Sequence, residues 1–309
     1  MTMTRYALRR LLVTIPTILA VTLLVFLMLQ LVPGDPAEIF LGEKQSSPEL
    51  LEQVRHDMGL DRPLYEQYLS YMADLFRGDM GVSLFNNQPV TEQILDALPH
   101  TLELALTALL ISTVLGVTLG VISALRHNTW VDSLSMGFAL VGVSMPVFWF
   151  GLMLIFLFSV KLQWFPPMGQ GGLDRLVLPA LALGLLSSAT LARLVRSSML
   201  EVMNEDYIRT ARAKGLRERT TIIRHALRNA LSPAITVLGL QFGGLLSGAV
   251  LTETIFARVG LGRMYVESIL NKDITMVQGL TLIIAIAIMV TNILVDLSYA
   301  RLDPRIRYE

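Results

Sequence analysis

The sequence contains no cysteine and few charged residues. Among its 309 residues, Asp, Glu, Lys and Arg together make up 16%, and cysteine is absent. The absence of cysteine excludes disulfide bonds and thiolate metal sites. A soluble domain typically carries about 25% charged residues, whereas 53% of this chain is hydrophobic and its mean hydropathy is +0.57. Several apolar runs exceed the roughly 20 residues that a helix needs to cross a bilayer, so the composition predicts a polytopic membrane protein.

Motifs for nucleotide binding and catalysis are also absent. The chain has no G-x-x-x-x-G-K-[ST] phosphate loop, no H-E-x-x-H zinc motif and no G-x-S-x-G nucleophile motif. Its four histidines, His56, His100, His127 and His225, show no metal-ligand spacing. We therefore expect no catalytic residue and no metal site, and a membrane enzyme is the weakest interpretation. Active transport by this chain would need energy from another subunit.

Six apolar segments predict an all-α polytopic membrane protein with six transmembrane helices. They are residues 11–32, 101–125, 133–160, 179–195, 234–254 and 276–297. Pro146 interrupts the third segment, and Gly116 and Gly120 have the spacing of closely packed helices in the second. Lysine and arginine are concentrated in the segments that this topology places inside, so both termini are expected in the cytosol.

The same patterns divide the chain into four parts. Residues 1–32 are the cytosolic N-terminus and first transmembrane helix, and residues 33–100 form a small, acidic, helical extracytoplasmic insertion between helices 1 and 2. Residues 101–300 form the core transmembrane domain, with a cytosolic loop at 197–233, and residues 301–309 form a cytosolic tail. The carboxylates of the insertion indicate a solvated surface. Gly260 and Gly262 predict a flexible turn in the last outer loop.

Four residues in the apolar segments are candidates for a polar path through the membrane. They are Glu103, Gly243, Gly244 and Asn292. Intramembrane ionisable or amide side chains often mark such a path, although Glu103 could instead reach the outer interface. The glycines leave room either for tight helix packing or for a path.

The most informative stretch is the basic segment 205–233, EDYIRTARAKGLRERTTIIRHALRNALSP. It predicts a short helix, a turn at Gly215 and a second helix. Ile208, Ala211 and Gly215 are expected to share a small, smooth face that another backbone could approach. By position alone, the segment is either a docking surface for a cytosolic partner or a positive-inside loop that only sets topology.

This segment resembles the cytosolic coupling loop of ABC-importer permeases, in the form used by the dipeptide/oligopeptide/nickel branch. Arg209 stands where the general motif has a glutamate, and the proline comes later after the glycine; both departures are typical of the peptide branch. The coupling residues implied are Glu205, Asp206, Tyr207, Arg209, Thr210, Ala211, Arg212, Ala213, Lys214 and Gly215. Further matching stretches are PGDP at 33–36, GLDRP at 59–63, GDMG at 78–81, SMP at 144–146, RSSMLE at 196–201, ETIF at 253–256, GLGR at 260–263 and DPRIRY at 303–308.

The resemblance implies the permease subunit of an ATP-driven importer in the bacterial cytoplasmic (inner) membrane, taking up di- or oligopeptides by alternating access. It implies a heterodimer with a second homologous permease, two cytosolic ABC ATPase subunits and an extracytoplasmic substrate-binding protein. The chain itself would bind no cofactor and no nucleic acid, since ATP and Mg belong to the partner ATPases. Nickel and glutathione importers share these motifs and are alternatives. A passive channel or membrane scaffold is the alternative from another class, and it predicts a continuous polar lining that the mainly apolar spans do not supply.

Overall fold

The computed structural model of the chain describes residues 3–31, 37, 48–57 and 59–302, and in these ranges the protein is all-helical apart from one isolated bridge between Val82 and Pro89. The helices are α1 Met3–Leu31, α2 Pro48–Asp57, α3 Leu64–Phe76, α4 Val90–Leu125, α5 Trp130–Ser144, α6 Val147–Lys161, α7 Leu173–Met203, α8 Asp206–Ala213, α9 Glu218–Ala230, α10 Ser232–Ile255, α11 Leu261–Leu270 and α12 Ile274–Leu302. Helices α6 and α9 contain π-helical segments at Ile155–Lys161 and Thr221–Ala226. The predicted all-α class is confirmed. The stretches at 33–36 and 303–308, and most of the tail, lie outside the described residues.

Three of the described helices, α4, α7 and α12, are long and apolar enough to cross a membrane. The number rises to five if each of two bent pairs is one span, and α1 contributes a shorter apolar stretch, Leu12–Met28. Helices α5 and α6 form one bent pair, with 108° between them at the predicted break beside Pro146. Helix α4 begins at Val90 and contains Pro99, so the helix begins well before the predicted second span.

Helices α4 and α7 pack along most of their length because small residues let their backbones meet. A Cβ atom added at Gly116 would lie 2.8 Å from the Cβ of Leu191, and one at Gly120 would lie 2.7 Å from the carbonyl oxygen of Ala192. Gly184 on α7 meets α4 just as closely, 2.8 Å from the carbonyl oxygen of Ala108. The close packing predicted from the glycine spacing is confirmed, and its partner is the fourth apolar segment.

Gly120→Ala is expected to lower the free energy of unfolding by about 1–3 kcal/mol, because overpacking forces the two backbones apart. Gly137→Ala is the matched control, since Gly137 is an exposed helical glycine with nothing within 4 Å of an added Cβ. It should be neutral or stabilise the protein by up to about 1 kcal/mol. Equilibrium unfolding of the two variants in mixed micelles compares them, and equal stabilities would contradict the tight α4–α7 contact.

Part of the predicted insertion packs on the first helix. The ring centroids of Phe26 on α1 and Tyr68 on α3 are 5.5 Å apart in an edge-on arrangement, and the hydroxyls of Thr22 and Tyr68 are hydrogen-bonded at 3.0 Å. Tyr71 contacts Phe26 with centroids 6.0 Å apart. Helix α3 is therefore anchored to α1 through its aromatic stripe.

The loop between α10 and α11 is clamped by a buried carboxyl group. Glu253 is 1% exposed and accepts hydrogen bonds from the hydroxyl of Thr101 at 2.7 Å and from the backbone N–H groups of Gly262 and Arg263 at 2.8 and 3.2 Å. The same Thr101 hydroxyl accepts from the N–H of Leu261 at 2.8 Å. The prediction of a flexible turn at Gly260 and Gly262 is therefore wrong. Both glycines are buried, and Gly260 has no room for a side chain because an added Cβ would collide with the Glu253 carboxyl group.

Candidate functional site

The basic segment folds as the predicted helix, turn and helix. Helix α8 ends at Ala213, and Gly215 then takes the left-handed conformation with φ +75°. The N–H of Gly215 donates to the carbonyl of Arg212 at 2.9 Å, and the N–H of Leu216 donates to the carbonyl of Ala211 at 3.3 Å. This is the glycine-dependent ending that α-helices commonly use, and α9 begins at Glu218. We call α8, Gly215 and α9 the hairpin.

The hairpin is seated on the rest of the chain through its apolar face. Ile208 is completely buried and Ala211 is 7% exposed. Ile208 belongs to an apolar cluster with Val195 and Met199 of α7 and with Ala226 of α9. The expectation that Ile208, Ala211 and Gly215 offer one open face to a partner is wrong. The first two side chains are buried within this chain, where their apolar surface is removed from water. Gly215 lies beyond the end of the helix.

The opposite face of the hairpin is exposed and basic. All the predicted coupling residues except Ala211 are exposed. Arg212 donates from Nη2 and Nε to the carboxylate of Glu218 at 2.6 and 3.1 Å, which braces the turn. Among the described residues, the acidic group paired with Arg209 is the distant carboxylate of Asp206, at 3.7 Å. Nothing of the described chain lies within 4 Å of a Cβ added at Gly215, so this surface is open to another molecule.

A partly buried ion pair lies beside the cluster that covers Ile208. Arg196 of α7 donates from Nε and Nη2 to the two carboxylate oxygens of Asp132 at 2.7 and 2.8 Å. Asp132 also accepts from the hydroxyl of Ser123 at 2.5 Å and from the N–H of Asn128 at 3.0 Å. The pair ties α4, α5 and α7 together one helical turn from Met199. Sequence reasoning missed Asp132, because no motif or regular spacing in the sequence links it to Ser123 on α4 or Arg196 on α7.

The structure places the four candidate path residues in different surroundings. Glu103, three to four turns into α4, is paired with the buried Arg258 at 3.2 Å. Gly243 faces Ile288 of α12, with an added Cβ 4.0 Å from its side chain, whereas Gly244 has open space. Asn292 is exposed on α12. Of the four, Gly244 lines a cavity.

That cavity has a volume of about 370 Å³ and lies between the α5–α6 break, α7 and α10. Ser187 and Thr190 of α7 and Gln241 of α10 supply its polar side chains. These residues were missed, although polar side chains in apolar segments were a usable signal. No group of three His, Asp or Glu side chains in the described ranges is placed to hold a metal ion.

Comparisons with known proteins agree with one another. The family described as the binding-protein-dependent transport system inner membrane component matches residues 116–308, and the N-terminal domain of the same kind of membrane component matches residues 3–105. The dipeptide transport system permease protein DppB of Alkalihalophilus pseudofirmus is 42% identical, with 99% of this chain and 100% of the relative covered. The di/tripeptide permease DppB of Pseudomonas aeruginosa is 44% identical over 97% and 98%, and the glutathione permease GsiC of Escherichia coli is 40% identical over 99% and 100%.

Solved structures show the same fold at low sequence identity. A chain of the MetNI methionine ABC transporter, in an inward-facing conformation, superposes with a TM-score of 0.59 at 16% identity, covering 68% of this chain and 96% of that one. A chain of an amino acid ABC transporter superposes with a TM-score of 0.53 at 19% identity, covering 68% and 94%. The chain belongs to the family of binding-protein-dependent transport system inner membrane components.

Proposed function

We propose that this chain is a permease subunit of an ABC importer that carries di- and oligopeptides across the bacterial cytoplasmic membrane. The observation that carries the proposal is the match over nearly the whole chain to curated di- and tripeptide permeases. The chain forms six spans with both termini in the cytosol, and the insertion at 33–100 lies outside. It pairs with a second homologous permease, and an extracytoplasmic binding protein delivers the peptide.

The hairpin is the part that contacts the partner ATPases, which bind ATP and Mg and perform hydrolysis. Two features support this role. Its basic side chains, Arg209 and Lys214 among them, are exposed, so an acidic surface would attract them in a salt-dependent way. Its buried face is packed on the end of α7, so a displacement of the hairpin is passed directly to the transmembrane helices.

Gly215→Leu is expected to abolish most peptide uptake while ATP hydrolysis continues. A leucine in the left-handed conformation costs about 1–2 kcal/mol, and its side chain would enter the open space in which the ATPase would sit. Gly78→Leu is the matched control, because Gly78 has φ +80° and nothing within 4 Å of an added Cβ but lies in the loop after α3. Uptake and ATP hydrolysis are measured with the complete complex in proteoliposomes.

Normal uptake in the Gly215→Leu variant would overturn the docking role. An equal loss in both variants would assign the effect to backbone strain alone. The absence of ATP-driven uptake of any di- or oligopeptide by the unmodified complex would overturn the importer itself.

Glutathione is the second candidate substrate, since the glutathione permease GsiC is nearly as similar as the dipeptide permeases. Competition between labelled dipeptide and unlabelled glutathione in the same proteoliposomes decides between them. Inhibition by glutathione at concentrations similar to those of dipeptides would favour the glutathione alternative.

A further inference from the structure

The cavity at the α5–α6 break lies at the middle of the predicted spans. Its lining residues on α7, from Leu183 to Thr190, surround the midpoint of Leu173–Met203, and those on α10, from Gln241 to Leu245, surround the midpoint of Ser232–Ile255. The third wall is the break itself, where the chain turns by 108°. A cavity of about 370 Å³ falls within the range of about 300–1,000 Å³ that small-ligand pockets have.

Unpaired backbone groups surround this break. Pro146 has no N–H, so the carbonyl of Gly142 lacks the donor that a continuous helix would supply. In the described part of the chain, no hydrogen bond reaches the carbonyl of Val143 or leaves the N–H groups of Val147 and Phe148. Gly142, Val143 and Val147 line the cavity. Irregular backbone at membrane depth is tolerated where it lines a water-filled cavity or is buried in protein.

The hydroxyl groups in the cavity are unpaired as well. Elsewhere in the apolar helices, hydroxyl groups donate to a carbonyl one turn earlier, as Thr113 does to Leu109 at 2.7 Å and Thr281 does to Val277 at 2.7 Å. Within the described ranges, no such bond occupies the hydroxyl of Thr190 or Ser187. These two groups are therefore available to donate to, or accept from, a ligand in the cavity.

The remaining polar group is held in position. Gln241 of α10 donates from Nε2 to the backbone carbonyl of Ser187 at 2.8 Å, and its Oε1 accepts from the hydroxyl of Ser112 on α4 at 3.4 Å. This bridge joins three helices behind the cavity. Leucine and methionine side chains, including Leu186 and Met145, complete the lining, so the cavity combines fixed polar groups with an apolar wall.

We propose that this cavity binds the main chain of the peptide while it crosses the membrane. This inference rests on the proposed function. Two unpaired carbonyls, the N–H group of Val147 and two hydroxyls supply donors and acceptors to an extended peptide, as the edge of a β-strand does. Recognition through main-chain groups does not depend on the peptide's side chains, and the apolar wall accepts side chains of different size. The ligand class is therefore a short peptide without sequence preference.

The test uses single cysteines, because the chain has none of its own. Thr190→Cys is placed in the cavity, and Leu110→Cys, on the 63% exposed face of α4, serves as the membrane-depth control. The complete complex in proteoliposomes is treated with a charged methanethiosulfonate reagent, and modification of this chain is measured with and without dialanine during ATP turnover. We expect Thr190→Cys to react and Leu110→Cys to remain unmodified. The peptide should slow the Thr190→Cys reaction about fivefold, a ratio that corresponds to about 1 kcal/mol.

A second pair of variants separates binding from structure. Thr190→Val removes the free hydroxyl and keeps the shape, whereas Thr113→Val removes a hydroxyl that is already bonded within its helix. Because one neutral hydrogen bond contributes about 1 kcal/mol, we expect Thr190→Val to lower uptake per ATP hydrolysed about fivefold. Thr113→Val should leave that ratio unchanged.

Failure of this inference is distinguishable from failure of the proposed function. If the unmodified complex takes up dialanine but peptide gives no protection at Thr190→Cys, the cavity is not on the route and the importer stands. If Thr190→Cys reacts only when the second permease is left out, a helix of that subunit covers the cavity. That result also overturns the inference. No ATP-driven uptake by the unmodified complex would overturn the function.

Discussion

Replacing Asp132 with alanine is expected to lower the free energy of unfolding by about 3 kcal/mol. The substitution leaves the guanidinium group of Arg196 without its two charge-assisted hydrogen bonds in a site that is mostly shielded from water. Loss of one partner of a buried ion pair typically costs about 3–5 kcal/mol. The lower end applies because the Arg196 side chain retains 25% exposure. Equilibrium unfolding in mixed micelles measures the change.

Two further variants assign this loss to the stranded charge. Asp132→Ala combined with Arg196→Met removes both charges, and we expect it to be more stable than Asp132→Ala alone. Glu267→Ala breaks the exposed pair that Glu267 forms with Arg263 at 2.7 Å and should cost no more than about 0.5 kcal/mol. If Asp132→Ala were as mild as Glu267→Ala, the Asp132–Arg196 pair would not stabilise the junction of α4, α5 and α7.

Replacing Glu253 with alanine is expected to lower the free energy of unfolding by about 3–5 kcal/mol. Three donors then lose their acceptor: the Thr101 hydroxyl and the N–H groups of Gly262 and Arg263. Each buried donor left unsatisfied costs about 1–3 kcal/mol, and such costs are not additive in one network. Glu253→Gln should cost less, about 1–3 kcal/mol, because its amide oxygen can still accept from the two N–H groups.

The diagnostic result is that Glu253→Ala has a lower free energy of unfolding than Glu253→Gln. Glu201→Gln, the same change at an exposed position of α7, should alter stability by no more than about 0.5 kcal/mol. Limited proteolysis of the α10–α11 loop provides a second measurement, since release of Gly262 and Arg263 should make the loop cleavable in Glu253→Ala. Resistance of the loop together with unchanged stability would show that the carboxyl group does not hold it.

The sequence predicted what depends on local pattern. Apolar runs located the long helices, Gly116 and Gly120 indicated close packing, and Gly215 marked the turn of the hairpin, because each signal is carried by neighbouring residues. The resemblance to ABC-importer permeases was confirmed by the family match and by full-length relatives. The six-span count, the domain boundaries and the coupling role of the hairpin stay predictions.

What escaped prediction depends on residues that are distant in sequence. Glu253 and Thr101 come from different helices, and nothing near either residue indicates that they meet; without that contact, Gly260 and Gly262 resemble a mobile turn. Ile208 looked available to a partner because the sequence does not show that Val195 and Met199 cover it. Pro146 predicted a break but not its angle, which is determined by how α5 and α6 pack on α7 and α10.

The contact between the first and last helices constrains how the protein is made. Gln278 of α12 donates from its buried Nε2 to the carbonyl of Val25 on α1 at 2.9 Å. Chains emerge from the ribosome with the N-terminal part first, so α1 is made long before α12 has been synthesised. During that interval α1 lacks its α12 partner, and this contact closes only when translation nears its end. Nascent chains that stop before α12 would therefore expose the α1 surface to quality-control proteases.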